Sequence, residues 1–105
     1  MRGTTSRRRA VTIDEVRRHR PELAAMGERY GVVNIRVFGS VARGEAAESS
    51  DLDLLVDVLP GGGLLALSAF AGEVDDLLQV FTQVATVNGL RPRIRARALV
   101  EAVPL

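Results

Sequence analysis

The stretch from Val32 to Asp57, VVNIRVFGSVARGEAAESSDLDLLVD, decides the fold. Val33, Ile35 and Val37 alternate with Asn34, Arg36 and Phe38, the period-two pattern of a half-buried strand. Gly39-Ser40 stops that strand at a tight turn, and a short helical segment with a polar loop follows. Asp51-Leu52-Asp53-Leu54-Leu55-Val56-Asp57 then resumes the alternation. Successive side chains on a strand point to opposite faces, so Asp51 and Asp53 share one face. At roughly 3.3 Å rise per residue their Cβ atoms lie about 6–7 Å apart. Two carboxylates so placed repel, and a bound divalent cation is the simplest compensation. Asp57 lies on the same face near the strand's far end and is read as structural.

Upstream, Thr12-x-x-Glu15 forms a capping box that opens a helix. Ile13 and Val16 give that helix an apolar stripe, and Arg17, Arg18 and Arg20 a basic one. Pro21 breaks the helix, and a second helical stretch runs to about Tyr30, with Leu23, Met26 and Tyr30 at core spacing. His19, the one histidine, is read as solvated. Gly31 caps the helix and the first strand follows over 32–38. The second strand runs over about 52–59 and ends at Pro60. Gly61-Gly62-Gly63 is a connector, because it lacks the Gly-Lys-Ser/Thr sequel of a phosphate loop. Residues 64–79 are helical, with Leu65, Leu67, Phe70, Val74, Leu77 and Leu78 on one side and Asp75 and Asp76 assigned to solvent. Residues 80–87 form a third strand and Asn88-Gly89 turns the chain. Pro92 opens a last helix buried through Ile94, Leu99 and Val103 and stopped by Pro104. The order αβαβαβα places three strands against helices in an α/β sandwich.

A chain of 105 residues supports one domain with a modest core. We place it at residues 11–105, behind a disordered basic tail at 1–10. There is no cysteine, hence no disulfide or thiolate metal site. Neither a signal peptide nor a membrane span is visible, and the expected compartment is the cytoplasm. Net charge is +1, unevenly spread. Residues 1–20 hold seven arginines, residues 91–97 hold four, and the span between Arg43 and Arg91 has eight carboxylates and no base. An acidic middle between basic ends suits a metal site with arginines free for phosphates or an acidic partner. Nucleic acid is not expected, since three Phe and one Tyr form no stacking platform.

Gly39-Ser40, ten residues, then Asp51-x-Asp53, within Phe38-Gly39-Ser40-Val41-Ala42-Arg43-Gly44-Glu45 and Ser50-Asp51-Leu52-Asp53-Leu54-Leu55-Val56, resembles the minimal nucleotidyltransferase branch of the polymerase-β-like superfamily. The resemblance covers about residues 12–105. It implies a small mixed sheet with helices packed mainly on one face. It also implies transfer of AMP from ATP to a protein acceptor, such as a HEPN toxin, by an antitoxin that depends on Mg²⁺ or Mn²⁺. Self-association is a second expected partnership, because the larger members' second domain is missing here.

Under that resemblance Asp51 and Asp53 are catalytic and hold metal, bridging ions that serve the attacking and leaving oxygens. Gly39 lets the backbone approach a phosphate, Ser40 offers a hydroxyl and an amide, and Arg43 neutralises phosphate charge or pins the loop. The family's third carboxylate falls in a segment like V-D-V-V-T. Its match here is Thr82-Gln83-Val84-Ala85-Thr86, with Gln83 in the acid's place. An amide oxygen can reach a metal but brings no charge and is a poor base. The alternative is therefore an antitoxin that no longer catalyses and neutralises its toxin by contact.

Overall fold

The structure, a computed structural model, describes residues 10–105. The tail expected over 1–10 lies, but for Ala10, outside the described residues. The elements are α1 (Ile13–Arg18), α2 (Arg20–Tyr30), β1 (Val32–Phe38), α3 (Gly39–Arg43), β2 (Leu52–Val58), α4 (Leu64–Leu78), β3 (Thr82–Thr86), α5 (Pro92–Glu101) and β4 (Val103–Pro104). Thr12 Oγ1 accepts the Glu15 amide at 3.1 Å, as a capping residue does. The break between the first helices falls at His19, two residues before the expected Pro21. Pro21 sits in the first turn of α2, where its missing N–H leaves no bond unmade. His19 is not simply solvated: its Nδ1 meets Glu22 Oε2 at 2.7 Å across that turn.

The sheet runs β3-β2-β1-β4. β1 is antiparallel to both β2 and β4, and β2 is parallel to β3, so the sheet is mixed. β4 was not expected. Two residues carry no periodicity, and Pro104 is tolerated because an edge strand does not need its N–H. The helix that Pro104 was to stop has already ended at Glu101.

One face of the sheet carries the core. Val37, Leu52, Leu54 and Val56 bury against Leu23 of α2 and Phe70, Val74 and Leu78 of α4. Each such side chain contributes about 1.5–3 kcal/mol on burial. A register shift between Val33 and Arg36 interrupts the alternation of β1, with Asn34 at φ 53°. Val33 therefore pairs with Asp57 on the face opposite Ile35 and Val37, which corrects the strict alternation read from the sequence.

The burial pattern departs from expectation elsewhere. Leu65 stands 87% exposed at the start of α4, where the helix has not yet reached the sheet. Ile94 and Leu99 are also exposed, and Ala98 is the one buried residue of α5. Asp75 is buried rather than solvated. Among the described residues no helix is long and apolar enough to cross a membrane.

Candidate functional site

β1 delivers the Gly-Ser turn to one end of the sheet, and β2 starts there. Phe38, the last residue of β1, pairs with Asp53, so Gly39 arrives beside that carboxylate. Gly39 adopts φ +72°, and a Cβ built on it would lie 2.4 Å from Asp53 Oδ2. Glycine is required twice over, by backbone conformation and by the space Asp53 occupies. Ser40 follows in the first turn of α3, half-buried.

β3 closes the other side. Asp53 is in register with Gln83, and parallel partners share a face. Gln83 Nε2 donates to Asp51 Oδ2 at 2.8 Å. Asp51, Asp53, Gln83 and the Gly39-Ser40 turn thus come together. Burial and the Asp51 charge raise the pKa of half-buried Asp53, while the positive charge of Arg43 partly opposes them.

Arg43 is engaged. Its Nε donates to Glu45 at 3.0 Å and its Nη1 to Glu101 at 2.9 Å. Both bonds raise its pKa. In this arrangement it pins the loop after α3 to the end of α5, the second of its two expected parts. Asp57 accepts from Asn34 Nδ2 at 2.8 Å and Arg36 Nη2 at 3.1 Å, a structural placement as expected.

Sequence reasoning missed Asp75. Its Oδ1 accepts the Thr82 amide at 2.6 Å, inside the protein. That bond, with Leu52 N–H donating to Phe81 O at 2.9 Å, anchors the start of β3 one residue before Gln83. The signal was present: Asp75 lies four residues after Ala71 and three before Leu78, both buried, and so falls on the inner face of α4.

Among the described residues no group of three or more acidic, histidine or cysteine side chains could hold a metal. The carboxylate pair fits a hard cation all the same. Like-charge strain on Asp53 is what a divalent ion relieves, and phosphate oxygens and water can complete its shell. A pocket of about 670 Å³ between α2 and β1, lined by Leu23, Val32, Ile35 and Leu59, holds none of these residues.

The family model described as a nucleotidyltransferase domain matches residues 16–105. Protein adenylyltransferase MntA of Thermococcus cleftensis is 35% identical over 97 residues, spanning 89% of this chain and 95% of its own. The solved "Structure of putative minimal nucleotidyltransferase" matches with TM-score 0.81 at 42% identity, over 90% of this chain and 97% of that one. The "Crystal structure of the toxin-antitoxin with AMP-PNP" matches with TM-score 0.69 over 80% of this chain and 69% of that one. At 14% identity it speaks for the fold alone. A mixed sheet that sets a Gly-Ser turn against two carboxylates, and likeness along nearly the whole length, lead to one statement: the chain belongs to the nucleotidyltransferase domain family, whose members are transferases.

Proposed function

We propose that this chain moves AMP from ATP to a hydroxyl of a partner protein, with Mg²⁺ or Mn²⁺ as the cation, and that the partner is a HEPN-type toxin it holds in check. The observation that carries the proposal is the close approach of Gly39 to Asp53, which sets the Gly-Ser turn directly beside the carboxylate pair. In this reading Gly39 and Ser40 bind the β- and γ-phosphates through backbone amide and hydroxyl. Asp51 and Asp53 hold the cation, which neutralises phosphate charge when bound. The acceptor hydroxyl gives its proton to water as its oxygen bonds to the α-phosphorus, the bond to the bridging oxygen breaks, and pyrophosphate leaves. Arg43 adds positive charge near Asp53 and keeps the loop closed. The protein acceptor follows the adenylyltransferase name of the Thermococcus relative, and the toxin follows the toxin–antitoxin neighbour crystallised with AMP-PNP. Residues 11–105 make the domain, a second copy is a further candidate partner, and the cytoplasm is the proposed compartment.

The second reading is an antitoxin that binds its toxin without transfer. Gln83 favours it: the amide offers Asp51 a hydrogen bond in place of a third negative charge. The test is transfer of labelled AMP from ATP to a HEPN-type toxin protein, with the Asp51→Asn, Asp53→Asn double variant as control. Label on the toxin that the double variant abolishes supports transfer. Toxin neutralised equally by both, without label, selects the second reading.

A further inference from the structure

We propose that α5 is the surface on which the protein acceptor docks, and that it recognises an apolar patch bordered by carboxylates. The proposal rests on the protein-acceptor reading above and names how that acceptor is held. α5 is ten residues long and buries Ala98 alone. A helix attached through so small a contact normally turns polar residues outward. Here the outer face carries Ala96, Leu99 and Val100, at the i, i+3, i+4 spacing of neighbours on one face. Leu99 is 46% and Val100 88% exposed.

Charge names the occupant. By the 3.6-residue period, Arg93 and Arg97 border the apolar row on one side and Arg95 on the other. With Arg91 they place four positive charges in residues 91–97, with no carboxylate before Glu101, on a chain of net charge +1. Arg97 meets Glu101 at 3.6 Å, while Arg91, Arg93 and Arg95 have no ion-pair partner among the described residues. An apolar row between arginines complements a protein face with apolar side chains between Asp or Glu. It suits nucleic acid poorly, because a phosphate backbone offers nothing to Leu99 and Val100, and α5 has no aromatic ring to stack on bases.

Position ties this face to the chemistry. Glu101, the last residue of α5, accepts from Arg43 at 2.9 Å. Arg43 ends the short helix that Gly39 begins. A protein seated on α5 therefore stands next to the phosphate turn.

The test is a titration of the full chain with the same toxin protein used in the transfer assay, followed by fluorescence anisotropy without nucleotide. The wild type is expected to bind and to lose affinity as salt rises. The Arg93→Glu, Val100→Glu variant, both changes at exposed positions, is expected to bind at least about tenfold more weakly while melting at the wild-type temperature. The Asp51→Asn, Asp53→Asn variant is expected to bind as the wild type does. Docking by the wild type without AMP transfer would sink the transfer reading and leave this one standing. Equal binding by the α5 variant, no binding by the wild type, or tighter binding of a short DNA duplex through the same arginines would overturn the proposal.

Discussion

Replacing Gly39 by alanine tests the contact on which the site depends. Two terms follow from the structure. Gly39 has φ +72°, a region where a Cβ costs about 1–2 kcal/mol. The new methyl would also stand 2.4 Å from Asp53 Oδ2, whereas ordinary contact begins near 3.4 Å, so the carboxylate must swing away by about 1 Å. Turning a side chain roughly 30° off its rotamer costs about 0.5–1.5 kcal/mol. The total is about 1.5–3.5 kcal/mol of stability.

Gly44 supplies the control. It has the same φ of +72° and nothing within 4 Å of a built Cβ, so Gly44→Ala shows the backbone term alone, about 1–2 kcal/mol. Urea melts of both variants should separate them by about 0.5–1.5 kcal/mol. In calorimetry with Mg²⁺ and ATP the split should be wider. A displaced Asp53 carboxylate no longer meets a cation where the phosphates do, so Gly39→Ala should weaken nucleotide binding while Gly44→Ala keeps it. Asp53→Ala in the Gly39→Ala background should recover the rotamer term, since its Cβ, at 3.3 Å, is nearly an ordinary contact. If Gly39→Ala matches Gly44→Ala in both stability and binding, Asp53 does not press on Gly39 and the proposed phosphate–carboxylate pocket falls.

Asp53 has a raised pKa in the fold, so the native state holds its proton more tightly than the unfolded chain. Its contribution therefore diminishes as pH rises from the ordinary aspartate range to the raised folded value, and Asp53→Asn should be more stable than wild type at neutral pH and lack this pH step in thermal melts. Asp75→Ala should lose about 1–3 kcal/mol, the cost of leaving the buried Thr82 amide without its acceptor, while Asp76→Ala at its exposed neighbour should stay within about 0.5 kcal/mol in the same urea melts. Gln83→Asp adds a third carboxylate in register with Asp53 and should give a larger Mg²⁺-induced rise in melting temperature than wild type. If transfer occurs, the same change should raise it roughly 30- to 1,000-fold, from about 2–4 kcal/mol of transition-state stabilisation, read as labelled AMP on the acceptor.

The strands, the Gly-Ser turn and the carboxylate pair were legible in the sequence because each is a local signal. A β-branched run of period two can be only a few things, and residues two apart on a strand share a face whatever surrounds them. The resemblance built on those residues led to the mixed sheet and to Gln83 standing beside the carboxylate pair. Where the sequence misled, the deciding contact was between distant segments. Asp75 reads as solvent-facing beside Asp76, yet it is buried because the Thr82 amide needs an acceptor inside the protein. Arg43 reads as able to neutralise phosphate or to pin its loop, and the partner that engages it, Glu101, lies 58 residues away. Leu99 reads as core, yet Ala98 is the one buried residue of α5. Sequence by itself determined which residues could do the chemistry, since residue type and short-range spacing are written in the chain. Only the tertiary structure decided their partners and which apolar face stays open, because those depend on how segments far apart in sequence pack together.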